Sequence, residues 1–102
     1  MQYRQGDVLL TRVPRAPVGT PVAPVNGHHV LAYGEATGHH HSIPAAGGTL
    51  TRDAEGVTYL SVDELVGLTH QEHATITVEP GVYRVTRQRE WTDADEPRTV
   101  PD

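Results

Sequence analysis

Hydrophobic and polar residues alternate along this chain in short runs that a glycine or a proline interrupts every few positions. The clearest run is residues 73–91, HATITVEPGVYRVTRQREW, in which Ala74, Ile76 and Val78 alternate with Thr75, Thr77 and Glu79. Alternation of this kind is the mark of a half-buried strand. Glu79-Pro80-Gly81 supplies a turn, and Val82 to Trp91 continues in an extended register, so the stretch is expected to form an antiparallel hairpin. Its second strand would carry Tyr83, Val85, Arg87, Arg89 and Trp91 on one face, with Val82, Arg84, Thr86, Gln88 and Glu90 on the other.

The other segments follow the same grammar. YRQGDVLLTRV (3–13) reads as one extended segment carrying Val8, Leu9 and Leu10, and the prolines at 14, 17, 21 and 24 mark a loop over 14–25. HHVLAYGEA (28–36) reads as a strand. AAGGTLTR (45–52) and GVTYLSV (56–62) read as a hairpin about DAEG (53–56). SVDELVGLTHQEH (61–73) alone suggests a short helix, capped by Ser61 or Asp63. Residues 92–102 form a polar, acidic tail.

Ten glycines and eight prolines leave little room for long helices. The expectation is a single all-β domain over residues 1–102, an antiparallel barrel or sandwich of about seven or eight short strands.

Composition adds a constraint on stability. Apolar residues make up 36% of the chain and there is no phenylalanine, so valine and leucine must fill a thin core. Small domains of this kind are commonly stapled by a disulfide, a metal or a partner subunit. With no cysteine, the last two remain, and a two-fold homodimer is the simplest assembly.

A formal charge of −5 argues against a general nucleic-acid binder. No window approaches a membrane span and none resembles a signal peptide, so a soluble cytoplasmic protein is expected. The chain has neither lysine nor cysteine. Schiff-base, phosphate-loop lysine and thiol chemistry are therefore excluded.

Histidine carries the remaining chemistry. His39, His40 and His41 stand together, and in a strand His39 and His41 share a face while His40 points the opposite way. His70 and His73 are spaced to share a face in a turn. These four imidazoles could hold a divalent transition metal such as zinc, iron, nickel or manganese. Glu35 and Glu72 are the candidates for a further ligand, a supporting acceptor or a catalytic base. Two readings compete with the metal: a surface turn rich in histidine, and a metal-free general base at His41 or His73. His28 and His29 follow an Asn-Gly turn and are read as structural.

The histidine pair on a strand, followed by a later histidine ahead of the PGVYRV strand, resembles the cupin family of small metal-binding β-barrels. The likeness covers roughly residues 34–85. It implies a barrel fold and a metal held by His39, His41 and either His70 or His73. Here Glu35 precedes the pair and Pro80-Gly81 follows His73, the reverse of the family's usual order.

Function then divides. A metal with an open coordination position would assist chemistry on a small molecule, with Glu35 or Glu72 moving the proton. A closed shell would make the domain a binding or assembly module. A third reading, RNA binding through Arg84, Arg87 and Arg89 beside Tyr83 and Trp91, is opposed by the nearby acids.

Overall fold

A computed structural model of the chain describes residues 1–34, 38–91 and 97–99, with side chains described for residues 1–34 and 38–88. It is all-β among the described residues, with one short 3₁₀ turn at Ala45–Gly47. Its strands are β1 (Gln2–Gln5), β2 (Val8–Val13), β3 (Thr20–Pro21), β4 (His28–Tyr33), β5 (His40–Pro44) and β6 (Gly48–Arg52). They continue with β7 (Thr58–Val62), β8 (Val66–Leu68), β9 (Ile76–Val78), β10 (Gly81–Arg87), β11 (Arg89–Trp91) and β12 (Pro97–Thr99). The strands are shorter and more numerous than the seven or eight expected, because turns fall inside segments that read as continuous.

Six strands form one antiparallel sheet in the order β1-β2-β10-β7-β6-β3. Three two-stranded sheets accompany it, β4-β5, β8-β9 and β11-β12. β1 and β3 remain as open edges of the large sheet, so the hydrogen-bonded strands do not close into a barrel. Alternation decides which face is buried. Val8 and Leu10 on β2, Leu50 on β6, Leu60 and Val62 on β7, and Tyr83 and Val85 on β10 point inward. They join Ala32, Ile43, Val66, Leu68 and Val78 from the smaller sheets in one cluster, filled mainly by valine and leucine as the composition requires.

Three local expectations are corrected. Residues 3–13 are a hairpin, because Gly6 takes a positive φ of 58° and turns the chain so that Gln5 pairs with Val8. A two-residue Gly-Asp turn of this kind matches the twist of the strands it joins. Residues 61–73 form no helix: Val66 and Leu68 are buried and Gly67 between them is not, so β8 obeys a period of two. Leu65, which a helix would have turned inward, is 64% exposed.

The third correction concerns 73–91. β9 pairs with β8, whereas β10 lies between β2 and β7 in the large sheet. Glu79-Pro80-Gly81 is thus a corner between sheets, and the register is interrupted at Gln88. Tyr83 and Val85 do share a buried face.

Other turns are as read. Asn26 and Gly27 both have positive φ, 50° and 79°, which makes the two-residue Asn-Gly turn joining Val25 to His28. β6 and β7 form the expected hairpin, in which Asp53 Oδ1 accepts from the amides of Glu55 and Val57. The 14–25 loop contains only the short edge strand β3. Of the expected tail, residues 97–99 pair with β11, and residues 92–96 and 100–102 lie outside the described residues. No helix among the described residues is long and apolar enough to cross a membrane.

Tyr83 is fully buried, and its hydroxyl donates to the Glu79 carbonyl at 2.7 Å. Burial, with Tyr3 close by, pushes this phenol above its ordinary value of 10.0, and Arg12 opposes the shift. Because the folded value exceeds the unfolded one, the contribution to stability is complete below pH 10 and is lost as the pH rises further. Tyr83→Phe should cost about 1 kcal/mol at neutral pH through the lost hydrogen bond. It should also flatten the decline of the urea midpoint above pH 10, whereas a parallel decline in both proteins would refute the assignment.

Candidate functional site

β5 is the strand on which the site is built. It pairs with β4 along one side, and through a single Ser42–Thr69 bridge it touches the end of β8 on the other. In that bridge the two residues exchange amide hydrogen bonds of 3.0 and 2.9 Å. This pairing sets His41 across from His70. A bulge between Val30 and Ala32 shifts the β4–β5 register, leaving Ala32 opposite His41. Bulges commonly re-aim side chains in this way. Gly38, with φ of 82°, makes the bend that delivers the histidines into β5.

The alternation of the histidines is as expected from the sequence. His39 and His41 both approach His70, with ring centroids 5.5 and 4.4 Å from it. His73 lies 4.8 Å from His70 and 6.1 Å from His41. All four predicted ligands are therefore brought together, with His70 central and His39 at the margin. His40 faces the other side, where it packs edge-on against Tyr33 at the rim of an open cleft of about 470 Å³. Gln71 Oε1 accepts from the His40 amide at 2.8 Å, a further tie between the two segments.

Two buried polar residues that sequence reasoning missed complete the cluster. Gln5 is 2% exposed and Asp7 1%, although Gln5 precedes the β1–β2 turn and Asp7 lies in it. Gln5 Nε2 donates to the carbonyls of Leu68 and Ala74 at 2.8 and 2.9 Å, which fixes the orientation of the amide. Its Oε1 must then accept, so His41 Nδ1, 2.8 Å away, is the protonated ring nitrogen that donates to it. His41 Nε2 faces Asp7 Oδ1 at 3.4 Å. Asp7 Oδ2 accepts from Arg87 Nε at 2.9 Å and from Nη2 at 2.7 Å.

The remaining histidine nitrogens are also placed. His70 Nδ1 accepts from the Glu72 amide at 3.0 Å. His39 Nδ1 lies 3.9 Å from the largely exposed Glu72 carboxylate. Glu35 lies outside the described residues. His29 has a structural part, donating from Nε2 to the Gly48 carbonyl at 2.9 Å and so tying β4 to β6. Among the described residues, no three His, Asp or Glu side chains already direct ligand atoms at a common point. The rings are adjacent, but several of them pack against one another, His41 and His73 being nearly parallel at 17°.

Arg84 and Arg87 do not form a joint basic face. Arg84 is exposed on one side of β10, and Arg87 is engaged by Asp7. The Arg89 side chain lies outside the described ones.

The fold and site define a small all-β domain with a largely buried histidine cluster. The chain belongs to the family described as a domain of unknown function, DUF8820, which matches residues 4–88. No curated protein and no solved structure matches it.

Only Gly6 in QGDV signals the turn that carries Asp7. Its burial depends on Arg87, which no local pattern links to it. Arg87→Met leaves a buried carboxylate without its cation and should destabilise the protein by about 3 kcal/mol in urea titrations. Adding Asp7→Leu should recover much of that loss; additive losses would refute a coupled pair.

Proposed function

We propose that this domain holds one divalent transition-metal ion through His39, His41, His70 and His73, and that the ion staples the β4–β5 hairpin to the segment between β8 and β9. One observation carries the reading: imidazoles from two distant parts of the sequence gather in one cluster, with His41 and His70 buried and His39 and His73 half-buried, in a domain with a thin core. With nitrogens ~2.1 Å from a tetrahedral ion, the centroids of two ligating rings stand roughly 5 Å apart. The four ring pairs that are in contact, 39–70, 41–70, 41–73 and 70–73, have centroid separations of 4.4 to 6.1 Å, close to that spacing.

The chemistry of the groups supports the same reading. Clustering four imidazoles, two of them buried, has little to recommend it for packing alone, and imidazole is a good ligand for zinc, iron, nickel and manganese. His41 donates its Nδ1–H to an acceptor within the protein, the usual way in which a ligating histidine is oriented. Burial supports a structural role: His41 is 0% exposed and His70 8%, and the clefts at Arg12–Val82, Thr20–Asp53 and Val25–His40 are lined by other residues.

A second reading is metal-assisted chemistry on a small molecule. It is favoured by Glu72, whose exposed carboxylate stands 3.9 Å from His39 at the margin of the cluster, where a proton could be passed to a ligand arriving from solvent.

Elemental analysis of untagged protein should find one transition-metal ion per chain. His73→Ala, at a half-buried position, and His41→Ala should both lose it. Equal trace metal in all three proteins would overturn the proposal. A chelator should lower the melting midpoint of the wild type by several degrees, since an ion bound at 100 times its dissociation constant contributes about 2.7 kcal/mol. The same chelator should leave His73→Ala unmoved.

A further inference from the structure

We propose that the outer face of the six-stranded sheet is a docking surface for single-stranded nucleic acid, with Tyr59 as the stacking platform and Arg84 and Arg4 as the phosphate contacts. The strand register places these side chains together. One row runs across all six strands, Gln2, Thr11, Arg84, Tyr59, Thr51 and Pro21, each opposite the next. Leu10, Tyr83, Leu60 and Leu50 alternate with this row and are buried, so the row itself points away from the core. Arg4 stands one row over, opposite Leu9, which is in turn opposite Thr86. Arg84 and Arg4 are thus two strands and two residues apart, roughly 12 Å between Cα atoms, while Tyr59 is the direct cross-strand neighbour of Arg84.

Charge sorting makes this face complementary to an anion. The chain carries 13 acidic residues against 8 basic ones, yet no acid among the described residues lies on the face. Asp7 is buried, and the other described carboxylates stand in the turns that follow β6, β7, β8 and β9. Arg4 and Arg84 are exposed, and among the described residues neither is paired with a carboxylate. The net charge opposes binding by the molecule at large, whereas an acid-free face acts through its own local field. Stacking then selects the class of polyanion. A base laid on Tyr59 brings its phosphates to the neighbouring guanidinium groups, the arrangement by which open β-sheets hold unpaired bases. A duplex keeps its base faces within the stack and offers Tyr59 nothing. A second copy of this chain is a poorer occupant, because stacking two such faces would bring like charges together and bury threonine hydroxyls without partners.

The probe is a short fluorescently labelled oligouridylate, titrated with the untagged protein at low salt and followed by anisotropy. Tyr59→Thr, which keeps a strand-favouring residue, should weaken binding about 5- to 100-fold. Arg84→Gln and Arg4→Gln should each lower the slope of log affinity against log salt by about 0.7. Arg52→Gln, whose side chain alternates with Thr51 and so leaves this face untouched, should bind as the wild type does. If Tyr59→Thr fails to fold, the exposed Arg84→Gln carries the test. No binding by the wild type would overturn the proposal, as would equal losses in Arg52→Gln and Arg84→Gln. Heparin bound as tightly as the oligonucleotide, with Tyr59→Thr unchanged toward both, would mark a general polyanion surface and overturn it too. A wild-type dimer that Arg84→Gln or Tyr59→Thr alters in sedimentation, without oligonucleotide binding, would assign the face to a second copy instead.

Discussion

Asp7 occupies the tip of a two-residue turn, a place where side chains are ordinarily solvated, and yet it is 1% exposed. A carboxylate withdrawn from water must be answered from within the protein, and the answer here comes from far along the chain. Arg87, at the end of the central strand β10, grips one oxygen with two donors, and the Gln88 amide bonds the Asp7 carbonyl at 2.7 Å. The same carboxylate presents its other oxygen to His41. Placement of the β1–β2 turn, the end of β10 and the histidine cluster is therefore one problem with one solution.

Gln5 extends this coupling to the smaller sheets. Its amide spans the carbonyls of Leu68 and Ala74, which lie on either side of the His70–His73 segment. β5 is hydrogen-bonded to β4 along its length and to Thr69 at one bridge, so the two histidine segments are joined by little backbone pairing. Side-chain bonds from Gln5 and Gln71 do the remaining positioning. A domain whose apolar cluster is mostly valine and leucine, with no phenylalanine, gains from such polar ties, and would gain more from an ion drawing both segments to one point.

The sequence made some of this plain and concealed the rest, for physical reasons. Period-two alternation placed Tyr83 and Val85 on one face of their strand, and that face is buried, since a side chain's face follows from its place in a strand. The opposite orientations of His40 and its neighbours were legible for the same reason. Pairing partners were not, because alternation says which face is buried and not which strand lies alongside. Thus 73–91 looked like a hairpin when Glu79-Pro80-Gly81 in fact carries the chain from one sheet to another. A short helix within 61–73 was suggested by Ser61 or Asp63 as a cap, but Val66 and Leu68 followed the period of a strand. The site was readable as histidines and unreadable as Gln5 and Asp7. Both are polar residues, one beside a turn and one within it, and nothing local marks such residues for burial.

Zinc-loaded crystals of the untagged protein, measured on both sides of the zinc absorption edge, address the central claim most directly. The account predicts one strong anomalous peak per chain, within bonding distance of ring nitrogens from both the 39–41 and the 70–73 segments. A map without a peak there, or with density only at the outward-facing His28 and His40, would contradict it.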